Sequence, residues 1–89
     1  MELWTLRFSK QAIKDSFLLR SNNLDEKAKF LIELLRTDPY KTPPSFEKLV
    51  GFQNVYSRRI NIIHRLVYRV YKDEKIIEII SMFRHYRFR

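Results

Sequence analysis

Cysteine is absent from these 89 residues and histidine occurs only twice. That inventory can build neither a disulfide framework, nor a thiolate zinc site, nor an imidazole cage, so no metal and no cofactor are expected. No apolar run approaches the ~20 residues of a membrane span. Residues 1–10 also lack the charged-then-apolar order of a signal peptide, which sets the expectation of a cytoplasmic protein with no membrane partner. Acidic residues are the other scarcity, ten against eighteen Lys and Arg, for a formal net charge of +8. That excess favours a polyanionic partner such as nucleic acid. The length excludes two domains, and residues 1–89 are expected to form one.

What is present points to a folded chain. Hydrophobic residues make up 45% and aromatics 15%, enough to build a core that a disordered chain could not. A domain this small buries only about 60–65% of the surface its unfolded chain exposes, so a protein partner would add stability it needs. Residues 1–53 hold nine basic and seven acidic side chains, whereas residues 54–89 hold nine basic and three acidic. The C-terminal part is therefore the anion-facing half. Tyr56, Tyr68, Tyr71, Phe83, Tyr86 and Phe88 lie among its arginines, an interleaving that suits unstacked bases and phosphates, though such rings also build cores.

The pattern of residues predicts an α+β domain. Residues 2–8 read as a strand with Trp4, Leu6 and Phe8 on one face, and Ser9 caps a following helix in which Ile13 and Phe17 share a face. Leu24, Ala28, Leu31, Ile32 and Leu35 follow helical spacing, with Asp25 and Glu26 in the first turn, until Asp38-Pro39 ends the helix. Residues 38–46 form a connector. Gly51, the only glycine, marks a turn or bulge before three strands at 55–61, 64–71 and 75–82, separated by hairpin-sized gaps. The result is two N-terminal helices packed on one face of a small, mainly antiparallel sheet, with the other face free to carry a site.

Cleavage of RNA without a metal needs a base for the ribose 2′-hydroxyl, an acid for the departing 5′-oxygen and cations on the phosphorane. Glu47 is a carboxylate between the proline-bearing connector and an arginine-bearing strand, although a solvated loop glutamate is the plainer reading of its position. His85 lies between Arg84 and Tyr86, surroundings whose positive charge favours a neutral imidazole, and His64 at a hairpin end reads as structural. Arg58, Arg59, Arg65 and Arg69 occupy two adjacent strands, and strand parity forbids all four from facing one ligand. Composition and spacing lead as far as a basic α+β domain that binds RNA or another polyanion.

The run Tyr56-Ser57-Arg58-Arg59-Ile60-Asn61-Ile62-Ile63-His64-Arg65-Leu66-Val67-Tyr68 closely resembles the signature of the YoeB/Txe toxins of the RelE-like superfamily. Glu47-Lys48-Leu49, Gly51 and the pair His85-Tyr86 extend the resemblance over nearly the whole chain. It implies a toxin of a type II toxin–antitoxin pair, a ribosome-dependent endonuclease that cuts mRNA in the ribosomal A site. Its partners would be the ribosome, mRNA and a YefM-like antitoxin, through which the complex would bind operator DNA, and a homodimer is a further option. By the same resemblance Glu47 is the general base, Arg65 the transition-state arginine, His85 the general acid and Tyr86 a substrate-orienting group. Arg59 and Arg58 would contact phosphate. Some members carry a lysine three positions after the glutamate, where this chain has Val50, and Lys48 is the nearest substitute. Two other readings use the same basic strands: a non-catalytic ribosome- or RNA-binding inhibitor, and a degenerate toxin that only binds its antitoxin.

Overall fold

The computed structural model describes residues 2–83, which leaves the proposed acid His85 and its neighbour Tyr86 outside the described residues. The elements run β1 (Thr5–Phe8), α1 (Lys10–Ser21), α2 (Asp25–Thr37), β2 (Glu47–Lys48), β3 (Val55–Arg59), β4 (Arg65–Tyr71) and β5 (Ile76–Ser81). The strands form one sheet in the order β1-β5-β4-β3-β2. The expected meander of β3, β4 and β5 is antiparallel, and β2 extends it. β1 pairs with β5 in parallel: after β1 the two helices carry the chain to β2 at the opposite edge of the sheet, and β2, β3 and β4 bring it back to β5.

Both helices cover one face. Ala12 and Leu19 of α1 and Ala28, Leu31 and Leu35 of α2 pack with Leu66, Tyr68 and Val70 of β4 and Ile77 and Ile79 of β5. In α2 the buried residues are those whose spacing marked the helix, and Asp38 leaves it in an extended conformation just before Pro39. Among the described residues, no helix is long and apolar enough to cross a membrane.

The buried face of α1 differs from the sequence expectation. Ile13 and Phe17 are 49% and 65% exposed, and the helix instead buries Ala12, Asp15 and Leu19. Polar anchors set this rotation. The Ser9 hydroxyl accepts from the Ala12 N–H at 3.0 Å and donates to the Ile80 carbonyl at 2.7 Å, while one Asp15 oxygen accepts from the Met82 N–H at 2.9 Å. Turning Ile13 and Phe17 inward would break the Asp15 bond and leave a buried amide without its acceptor.

Two further features carry the chain to the open face. Gly51 sits at φ +87°, in the left-handed region that only glycine enters at no steric cost, and turns the chain between β2 and β3. Between β3 and β4 the Asn61 side-chain oxygen accepts from the N–H groups of Ile63 at 2.9 Å and His64 at 2.7 Å, closing the hairpin. The strand at 55–61 is therefore shorter than its composition suggested.

Candidate active site

β2 was not foreseen as a strand. Its two residues are exposed, so neither alternation nor burial marks them in the sequence, and it is defined by pairing Glu47 with Ser57 and Lys48 with Tyr56. That pairing places Glu47 against the arginine-bearing strands. An open cleft of about 450 Å³ lies there, lined by Ser45, Phe46, Glu47, Ser57, Arg59 and Arg65.

Within the cleft the Arg65 Nη1 donates to Glu47 Oε1 at 2.7 Å and reaches the Ser57 hydroxyl at 3.5 Å. The Glu47 side chain is two-thirds exposed and that of Arg65 about one-fifth, so the pair stands at the mouth of the cleft with its cation set deeper. Arg59 and Arg65 are direct cross-strand partners. Like charges placed opposite each other in a sheet are destabilising, and one carboxylate cannot neutralise both. The described cleft therefore keeps a net positive charge, set out for an anion.

Arg58 corrects the sequence expectation of a phosphate contact. It is fully buried on the helix-covered side of β3, the face to which alternation directs it. Its Nη1 donates to the Pro44 carbonyl at 2.6 Å, its Nη2 to the Pro39 carbonyl at 3.0 Å and its Nε to the Tyr68 hydroxyl at 3.2 Å, while the guanidinium lies 5.0 Å over the Phe46 ring. Every nitrogen is thus bound internally, and the connector is tied to β3 three residues before Glu47. Arg58 fixes the backbone that leads into β2. The Tyr68 hydroxyl also donates to the Pro39 carbonyl at 3.0 Å. Burial pushes that phenol up to about 12, with the Arg58 guanidinium opposing the shift. The nearby Tyr40 phenol is raised as well, by burial first and then by Tyr56.

Lys48 is a second correction. Alternation sends its side chain to the face opposite Glu47, and it does not line the cleft. His64 stacks on Phe83 with ring centroids 4.3 Å apart, away from the cleft lining, as its structural reading required. Glu47, Arg59 and Arg65 are brought together. Ser57 is the residue that sequence reasoning missed: its side chain is the one on β3 between the alternating Val55 and Arg59. That parity was the available signal.

An α+β fold of this topology is shared by toxins of bacterial toxin–antitoxin pairs. The YoeB/ParE toxin from Agrobacterium tumefaciens superposes with a TM-score of 0.83 at 28% identity, over 92% of this chain and 99% of that one. The YoeB–YefM complex from Staphylococcus aureus gives 0.75 at 36% identity, over 93% and 98%. The intact E. coli RelBE toxin–antitoxin complex gives 0.70 at 27%, over 94% and 99%. Comparison with curated protein sequences yields no match. The model of the YoeB-like toxin of bacterial type II toxin–antitoxin systems matches residues 8–86, and the chain belongs to that family.

Proposed function

We propose that the chain is a ribosome-dependent endoribonuclease that cuts mRNA in the ribosomal A site and is silenced by a YefM-like antitoxin. The observation that carries the reading is the cleft itself: a carboxylate bonded at 2.7 Å to one of two arginines that face each other across adjacent strands. Base and cations lie side by side where an RNA strand can reach them.

In this mechanism Glu47 takes the proton of the ribose 2′-hydroxyl, whose oxygen attacks the adjacent phosphorus. Arg65 and Arg59 hold the charge that develops on the phosphorane, with the planar, permanently charged fork that suits phosphate oxygens. The bond from phosphorus to the 5′-oxygen breaks and His85, assigned by family resemblance, protonates that oxygen, with Tyr86 orienting the substrate beside it. A 2′,3′-cyclic phosphate and a 5′-hydroxyl are the products. The ribosome supplies the orientation of mRNA that so small a domain cannot, which makes free RNA a poor substrate. The solved relatives include YoeB with YefM and a YoeB dimer, both from Staphylococcus aureus, and the antitoxin partner is proposed on that likeness.

The test adds wild type, Glu47→Ala and His85→Phe, each checked for folding, to a reconstituted translation system and maps mRNA 5′-ends by primer extension. Cuts at the A-site codon that need the ribosome and vanish in both variants are expected. Arrested translation with intact mRNA would replace this reading with the non-catalytic inhibitor, and equal cutting by the variants would displace the named base and acid.

A further inference from the structure

The end of β5 and the two residues after it are fastened by two separate elements. The first is α1 with its cap: the Ser9 N–H donates to the Ile79 carbonyl at 3.0 Å, the Ser9 hydroxyl donates to the Ile80 carbonyl at 2.7 Å, and Asp15 accepts from the Met82 N–H at 2.9 Å. The next residue, Phe83, is held by the β3–β4 hairpin, through the His64 ring stacked on it with centroids 4.3 Å apart and planes 23° from parallel. His64 is the last residue before β4 and the chain neighbour of Arg65. Phe83 precedes His85 by two residues, so covalent geometry alone keeps their Cα atoms within about 7 Å of each other.

The platform under Phe83 is firm. Asn61 Oδ1 accepts from the His64 N–H at 2.7 Å, and the His64 carbonyl accepts from the N–H groups of Ile60 at 2.9 Å and Asn61 at 3.2 Å, so both backbone groups of His64 are tied into the hairpin. Burial of hydrocarbon by itself would turn an isoleucine of that hairpin inward, yet Ile62 and Ile63 are 81% and 57% exposed and the imidazole takes the place on Phe83. What it offers there is the flat face of a ring, because stacked rings attract beyond the area they bury, and among the described residues the buried His64 Nδ1 has no hydrogen-bond partner. The register of the sheet runs the same way. Val67 pairs with Ser81 in the antiparallel ladder of β4 and β5, and the same count brings Arg65 level with Phe83. One ring contact therefore joins the proposed transition-state arginine to the approach to the proposed acid.

We propose that His64 is a positioning residue for the acid step: its ring fixes Phe83 beside the start of β4, and that fixes the point from which the chain runs on to His85. The inference rests on the reading of the cleft as an RNA-cleaving site with His85 as its acid, and adds to it the contact that holds acid and arginine in one frame. His64 moves no proton and touches no substrate in this role. A general acid must lie within hydrogen-bond reach of the departing oxygen, so slack at Phe83 lowers the rate at saturation and leaves RNA binding alone. A flat hydrocarbon ring at position 64 serves equally well, and a methyl group does not.

The test compares wild type, His64→Ala, His64→Phe and Phe83→Ala, each first checked for folding by its urea midpoint, in single-turnover cleavage of ribosome-bound mRNA. Two substrates are used: ordinary mRNA, and mRNA whose scissile linkage carries sulfur in place of the bridging 5′-oxygen, a leaving group that departs without a proton. On ordinary mRNA His64→Ala and Phe83→Ala should each lower the saturated rate about 10- to 100-fold with the half-saturating concentration unchanged, and His64→Phe should stay within about threefold of wild type. On the sulfur-bridged mRNA every variant should cut within about threefold of wild type, because no acid is then needed. Phe83→Ala reports the same contact from its other partner, so an unstable His64→Ala leaves the test standing. A fall of equal size on both substrates assigns the stack to the fold alone and overturns the proposal. If wild type cuts no ordinary mRNA, the cleavage reading fails and the positioning role falls with it. If wild type cuts and His64→Ala matches it on ordinary mRNA, the positioning role alone fails.

Discussion

At the scale of residues, chain neighbours Arg58 and Arg59 occupy opposite faces of β3, and the two substitutions should separate stability from catalysis. Arg58→Met strands the Pro44 carbonyl and loosens the connector, so it should destabilise the domain by about 2–4 kcal/mol in urea unfolding. Arg59→Gln removes an exposed cation and should leave the urea midpoint nearly unchanged while slowing mRNA cleavage at least tenfold, about 1.4 kcal/mol of transition-state stabilisation. Parity alone, read from the sequence, already required that some of the four arginines be structural. Which ones could not be read, because the deciding contacts are carbonyls of a proline-bearing connector that carry no sequence signature. Tyr68 provides a second residue-level prediction. Its phenol holds its proton up to about 12 in the native protein, against 10.0 for a free tyrosine. Between those values the unfolded chain ionises and the native one does not, so the contribution of Tyr68 is complete below pH 10 and is lost as the pH rises towards 12. About 3 kcal/mol disappears over that window. Phenolate absorbance of the native protein should accordingly rise in stages, with the last increment coinciding with alkaline unfolding.

At the scale of elements, the spacing of α2 was legible because burial on one face imposes a period that the sequence must obey, and β3, β4 and β5 were legible from their β-branched and aromatic residues. α1 was half legible. Its start at Ser9 could be read from the cap, but its rotation depends on Asp15 reaching the Met82 amide just past β5, a contact 67 residues distant in sequence. The parallel partnership of β1 with β5 was hidden for the same reason, and β2 was hidden because two exposed residues show no period. Ser9→Ala should cost about 1–2 kcal/mol, since the hydroxyl both caps α1 and holds the end of β5. Chemical denaturation against wild type measures it. Gly51→Ala meets no atom within 4 Å of the added carbon. The cost there is conformational alone, about 1–2 kcal/mol for a left-handed backbone. An unchanged midpoint would show that the loop relaxes out of that conformation.

At the scale of the whole molecule, small size and a surplus of eight positive charges act together. A partner that binds the native domain adds stability by mass action, and an antitoxin present at a hundred times its Kd should contribute about 2.7 kcal/mol. Thermal unfolding with and without the antitoxin reads this directly, and a midpoint that ignores it would sink the proposed partnership. The bond between Glu47 and Arg65 has a further consequence for the free protein. The anion seated on the Arg65 Nη1 at rest is the protein's own carboxylate, so in the proposed reaction a phosphate arriving at that nitrogen competes with Glu47 for it. A phosphate that wins Nη1 would free the proposed proton acceptor in the same exchange of ligands, and the domain carries its own competitor for RNA at that nitrogen.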